Sequence, residues 1–158
     1  MLVRIIYYFA PHKIRLNKMS GNITFTIIKP DAVSKNYTEA IFEKIEKAGF
    51  EVLKRKDVCL TKELAENFYE IHKGQPFFAG LVEFMTSGPI VVAALKKGNA
   101  VEDFRATIGK TNPLEAAEGT IRKVYGEMVS RNAIHGSDSD ENAQREIRFF
   151  FTPEEVEF

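Results

Sequence analysis

"ITFTIIKPDA", residues 23–32, carries the decision about the fold. The run from Ile23 to Lys29 is rich in β-branched residues and apolar on alternate positions, which reads as a strand. Pro30 has no N–H to give a sheet ladder, so the strand is expected to stop at Lys29. Whether this strand belongs to an all-β or a mixed fold depends on the period of the residues beyond it.

Beyond Pro30 the period switches. Ile41, Phe42, Ile45 and Ala48 repeat at helical spacing over residues 38–48, and Gly49 is placed to cap the C-terminus. Phe50 to Leu60 returns to a strand pattern. Thr61 is an expected N-cap for a helix over Lys62–Lys73 that turns Leu64, Ala65, Phe68 and Ile71 inward. Gly74 and Pro76 break it. "FFAGLVEFMTS" reads as a second short helix and "PIVVAAL" as a buried strand. Ala100–Ile108 is helical, with Val101, Phe104 and Ile108 inward. Residues 109–119 form a loop containing "KTNP", and Thr120–Tyr125 a short helical turn. "NAIHGSDSD", residues 132–140, sets a histidine beside a glycine and holds a further strand, and an amphipathic helix runs from Ser139 to Phe149. The order predicts an α+β fold, for which a βαββαβ sandwich with an antiparallel sheet is one solution.

A chain of 158 residues is long enough for one domain with one core. Its 44% hydrophobic and 28% charged residues exclude an intrinsically disordered class. The 22 basic and 22 acidic residues cancel, which argues against a protein held to nucleic acid mainly by phosphate contacts. The single Cys59 leaves no internal disulfide and no multi-cysteine metal site. In the apolar run "DVCLT" it is expected as a buried, inert thiol. The first eighteen residues carry Arg4, Lys13, Arg15 and Lys18 and no acid, and without them 18 basic face 22 acidic residues, a net charge of −4. Their apolar run is too short to span a membrane, lacks a small-residue cleavage site, and is poor in Ser for a transit peptide. Residues 1–18 are expected as an N-terminal extension, disordered or not translated, with Met19 starting a domain over 19–158.

Polar groups collect where this map puts loops and element ends. Lys29 follows the first strand, Arg105 and Arg122 flank the long loop, and Thr111 lies within it. Forked guanidiniums, an ammonium and a hydroxyl are the groups that hold a polyphosphate. A single Lys or Arg is ordinarily a solvated charge, so the case depends on convergence in space. There is no GxxxxGK[ST] and no kinase glycine-rich loop, so any phosphate site is not a P-loop. Tyr69 and Phe77 are aromatic candidates for stacking a base, against ordinary core packing.

Of the three histidines, His12 lies in the extension and His72 ends a predicted helix, where a cation suits the dipole. His135, between Ile134 and Gly136, is the candidate nucleophile, set in a tight turn that leaves its approach uncrowded. Imidazole near neutral pH can attack phosphorus directly, provided its other nitrogen is held by an acceptor. Glu146, on the following helix, is the candidate acceptor. Ser137 is placed to bond that carboxylate or a leaving oxygen.

These residues bring out a resemblance. "NAIHGSDS" resembles the active-site signature of nucleoside diphosphate kinases. "TIIKPDAV", "FYEIHKGQPFFAGLVEFMTSGPIV", "AVEDFRATIGKTNPLEAAEGTIRKVYG" and "NAQREIRFFF" resemble the same family in the same order, over nearly all of Ile23–Phe158. The resemblance implies a ferredoxin-like βαββαβ sandwich assembled into tetramers or hexamers. It implies transfer of the terminal phosphate of ATP or another NTP to a nucleoside diphosphate, maintaining NTP and dNTP pools. The implied route is ping-pong through a phosphohistidine on His135, with Mg²⁺ riding on the nucleotide phosphates and no direct metal ligand from the protein. Lys29, Tyr69, Arg105, Thr111, Arg122 and Asn132 match nucleotide-binding positions, Phe77 the base platform, and Ser137 and Glu146 the residues that orient the histidine. A cytoplasmic enzyme without nucleic-acid or membrane partners is expected. The segment "SKNYTEAIF" departs from the family in lacking its usual glycines, with Asn36 and Glu39 there instead. Two competing readings fare worse: an RNA-recognition domain needs an aromatic strand signature that is absent, and a catalytically dead relative should have lost a matched residue.

Overall fold

The computed structural model describes residues 21–158; the expectations for residues 1–18 and for His12 lie outside them. The elements are β1 (Ile23–Ile28), α1 (Pro30–Ser34), α2 (Thr38–Lys47), β2 (Glu51–Val58), α3 (Lys62–Phe68), α4 (Phe78–Met85), β3 (Ile90–Lys96), α5 (Ala100–Ile108), α6 (Ile121–Tyr125), β4 (Ile134–Gly136) and α7 (Asp140–Phe150). The strands form one sheet in the order β2-β3-β1-β4, every pair antiparallel. This is the ferredoxin-like sandwich that the alternating pattern and the resemblance imply.

Both faces of the sheet are covered. Phe25 and Ile27 of β1 pack with Ala65 and Phe68 of α3, Val82 and Met85 of α4, and Ile147 of α7. On the other face Ile28 joins Ile41, Phe42 and Ile45 of α2 and Phe104 and Ile108 of α5. The two central strands, β1 and β3, are therefore buried almost throughout, the threonines Thr24 and Thr26 of β1 included, because neither face meets water. The edge strand β2 is mostly exposed or half-buried, and a register shift between Val52 and Lys54 interrupts its pairing.

Four expectations need correction. Pro30 ends the strand but also opens α1 at its first position, where a missing N–H costs nothing. The helix expected over residues 62–73 stops at Phe68, and a 3₁₀ turn takes Glu70–His72. The tighter turn breaks the 3.6-residue period. Tyr69 turns inward, while Ile71 is 63% exposed and Leu64 is 42% exposed. Cys59 is exposed, because it lies one residue past β2 and Leu60 takes the buried place. Finally, His135 and Gly136 lie in a strand, β4, and not in a tight turn.

The departure at "SKNYTEAIF" is accommodated locally. Asn36 takes a left-handed φ of 61°, a region Asn tolerates better than most residues, and Glu39 forms an ion pair with Arg55 at 2.5 Å. Lys35 of the same segment pairs with Glu127.

Candidate active site

β4 has only three residues, yet it is fixed on several sides. It pairs with β1 through Thr26–Gly136, Ile27–His135 and Ile28–Ile134. The Thr26 hydroxyl donates to the His135 carbonyl at 2.8 Å. Behind the imidazole stand two rings, Phe25 at 6.1 Å and Phe68 at 6.0 Å between centroids, both edge-on. These aromatic walls set the plane of the histidine ring.

His135 Nε2 lies 2.6 Å from Glu146 Oε1 and 3.2 Å from Oε2. Donation from Nε2–H to the carboxylate leaves Nδ1 with the lone pair. The carboxylate is held in turn: Ser137 Oγ donates to Glu146 Oε1 at 3.1 Å and accepts from the Phe25 N–H at 3.3 Å. Glu146 reaches this place because α7 is capped by Ser139, whose hydroxyl accepts from Asn142 N at 3.1 Å. The side chain of His135 is 24% exposed and that of Glu146 only 4%, so water and ligands reach the ring and not its acceptor. Asp138, near the start of that helix, accepts from Asn142 Nδ2 at 2.5 Å, and that bond holds its carboxyl below the usual range.

The cations converge. Lys29 Nζ donates to Asn132 Oδ1 at 2.8 Å, and Asn132 Nδ2 donates to the Thr111 carbonyl at 3.1 Å. Arg122 of α6 donates to the carbonyls of Gly109 at 3.0 Å and Ile134 at 2.8 Å, tying the long loop to β4. Among the described residues its Nε is buried without a partner. Desolvation, then repulsion from Arg122, brings Lys29 down to about 8, against a smaller upward pull from Asp31. Desolvation, then Arg105, brings Arg122 down to about 10. Tyr69 is buried with an unpartnered hydroxyl; burial and the Glu146 charge push its ionisation up, so it stays a donor.

Two open cavities meet at Thr111 and Asn112. The larger, about 1010 Å³, is lined by Arg105, Thr111, Arg122 and Gly136. The second, about 770 Å³, is lined by Lys29, Phe77, Leu81, Phe84, Val129 and Asn132. Phe77 is 53% exposed and its ring stands 5.4 Å from that of His72. His72 also lies beside Tyr69, with centroids 6.3 Å apart. Of the candidate site residues, Ser137 and Glu146 stand at the imidazole, Arg105, Thr111 and Arg122 line the first cavity, Lys29, Phe77, Thr111 and Asn132 line the second, and Tyr69 lies beside Phe68 and His72.

Comparison with known proteins gives this geometry a context. A family model described as nucleoside diphosphate kinase matches residues 22–156. The chain belongs to the nucleoside diphosphate kinase family. It is 53% identical over 138 residues to a nucleoside diphosphate kinase of Rhizorhabdus wittichii, covering 87% of this chain and 99% of that one. With the protein of the same name from Legionella pneumophila it shares 50% over 138 residues, 87% of this chain and 98% of that one. Among solved structures, the Aquifex aeolicus nucleoside diphosphate kinase superposes with a TM-score of 0.84 at 41% identity, over 85% of this chain and 98% of that chain. A halophilic nucleoside diphosphate kinase from Halobacterium salinarum, solved in complex with CDP, gives a TM-score of 0.82 at 36% identity, over 87% and 93%. The protein is thus a nucleotide-binding transferase of the kinase class.

Some features of the enzyme's site escape a reading of the sequence. Phe25 and Phe68 look like ordinary core residues, and only the sheet brings them against His135. Asp31 carries no signal in the sequence, yet it is buried and accepts from the backbone of Ala133. The role given to Gly136 also changes. A Cβ there would lie 2.9 Å from Phe104 Cδ1 and 3.0 Å from Ile108 Cδ1, so the glycine answers to the close approach of α5.

Proposed function

We propose that the enzyme transfers the γ-phosphoryl group of ATP or another NTP to a nucleoside diphosphate in two half-reactions through His135. In the first, Nδ1 attacks the γ-phosphorus; an N–P bond forms, the bond to the β-phosphate oxygen breaks, and a nucleoside diphosphate leaves with the electron pair. In the second, an incoming nucleoside diphosphate attacks the same phosphorus and the N–P bond breaks. Glu146 keeps the Nε2 proton and offsets the charge the ring gains, and Ser137 holds that carboxylate in place. Lys29, Arg105, Arg122, Tyr69, Thr111 and Asn132 bind the nucleotide around the shared cavity. The base stacks on Phe77 without bonds to its edges, which favours broad acceptance of bases.

One observation carries this reading. Three cations, Lys29, Arg105 and Arg122, crowd together beside an imidazole with a free nitrogen, and burial, then mutual repulsion, depresses the ionisation of two of them. Such a cluster calls for a polyanion. The depressed cations and the unpartnered Nε of Arg122 fit a triphosphate with its bound Mg²⁺, held through the phosphates and not by a protein carboxylate cage. When bound, the ion neutralises phosphate charge. The relation to the CDP complex supports a nucleotide as substrate. Maintenance of NTP and dNTP pools in the cytoplasm is the cellular task that goes with this chemistry. Among the described residues no helix is long and apolar enough to cross a membrane.

Incubation with γ-labelled ATP tests the reading. An acid-labile, base-stable label is expected on the protein, leaving as labelled GTP when GDP is added. His135→Ala is expected to carry no label; label persisting in that variant overturns the assignment of the nucleophile.

A further inference from the structure

One buried charge has no task in the reaction as proposed. Asp31 is 7% exposed, and its Oδ2 accepts from the N–H of Ala133 at 3.0 Å, across 102 residues. The carbonyl of Ala133 accepts from Lys29 N at 2.8 Å. Both polar groups of the Ala133 backbone are therefore held by the turn at residues 29–31. Ala133 needs holding. It has a φ of 70° and is fully buried. Among the described residues the other non-glycine positions at positive φ are Asn36 and Asn99, a type that tolerates the left-handed region. Alanine has no polar side chain to offset the contact its Cβ makes there.

The position matters because of its neighbours. Asn132, just before it, bonds Lys29 Nζ and the Thr111 carbonyl. Ile134, just after it, opens β4 and gives its carbonyl to Arg122, and His135 comes next. If Ala133 relaxed to negative φ, Asn132 and His135 would turn away from each other.

We propose that Asp31 is a positioning residue for phosphoryl transfer: its carboxylate locks Ala133 at positive φ, at the centre of a tight turn closed by the Ile134 N–H donating to the Asn132 carbonyl at 2.9 Å, and so sets the relative placement of Asn132 and His135. The inference rests on the roles proposed above for those two residues. Asp31 touches no reacting atom; it acts through the backbone.

Three variants separate this role from a direct effect of charge and from simple loss of stability. Each is checked for folding by circular dichroism at the assay temperature, and the rate of protein labelling at saturating ATP is measured by rapid quench. Asp31→Ala is expected to slow labelling by roughly tenfold to a hundredfold, the scale of a small misplacement at a reacting centre. Asp31→Asn is expected to stay within about threefold of the parent, because its amide oxygen still accepts the Ala133 N–H. Adding Ala133→Gly to Asp31→Ala is expected to restore most of the lost rate, since glycine adopts positive φ unaided. Should the single alanine variant not fold, the double variant is compared with Asp31→Asn, and the two should label at similar rates. A folded Asp31→Ala protein with the parental rate overturns the inference, as does a double variant without recovery, or an Asn variant as slow as the Ala one. These outcomes differ from failure of the proposed function, in which the parent protein itself takes up no label.

Discussion

At the scale of the residue, Lys29 is the group whose environment makes the sharpest demand. Burial and the repulsion from Arg122 bring its ionisation to about 8, against the usual 10.5. An ammonium is needed to meet a phosphate, so kcat/KM is expected to fall as pH rises through about 8. Bound triphosphate favours the charged form, so the corresponding limb in kcat should lie at higher pH. A pH profile of both parameters checks this, and Lys29→Gln should abolish the limb. Stability runs the other way. Between about 8 and 10.5 the unfolded chain holds a proton on this lysine that the folded one has lost, so this residue's contribution to stability rises with pH across that window. The lysine, the arginines and His135 with Glu146 were all legible in the sequence, because their types announce phosphate chemistry and their order matches a family. Asp31, Phe25 and Phe68 were not. Their importance lies in contacts with residues a long way off along the chain, and their types announce nothing unusual.

At the scale of the element, α5 packs closely against the end of β4. Gly136 lets Phe104 and Ile108 approach, and both of those side chains are buried and cannot swing aside. Gly136→Ala is therefore expected to destabilise the fold by about 1–3 kcal/mol, the usual cost of overpacking, read as a lower urea midpoint with unchanged slope. A midpoint equal to the parent's would show that α5 yields freely. Helix boundaries were legible where a cap marks them. Thr61 and Ser139 both accept from the backbone N–H three residues on, as their types suggest. The end of α3 was not legible, because nothing in "FYEIHK" breaks a helix; the chain tightens there to bury Tyr69 beside Phe68, with ring centroids 4.9 Å apart.

At the scale of the whole molecule, the fold class was readable from the order of periods, strand patterns alternating with helical ones, and the buried run of β3 marked a strand covered on both faces. The strand order needed the three-dimensional structure, because period and spacing say nothing about which strands are neighbours. The same molecule leaves β2 as an open edge and exposes Ile71, Val124 and Met128. The family resemblance implies a homo-oligomer of four or six chains. Light scattering after size exclusion should give four or six times the chain mass of 17.9 kDa. A species of a single chain mass would overturn the assembly. The anchoring of β4 has a further consequence. The main chain of His135 is paired to β1, its carbonyl is held by Thr26, and its ring is boxed by two phenylalanines. The main chain of the histidine is therefore fixed to the sheet. The loop at residues 109–119 and the segment around Val129 line the cavities in front of it. In the proposed transfer, the phosphoryl group would be carried to an acceptor whose main chain is already fixed, so the nucleotide would travel and the protein's reacting atom would wait.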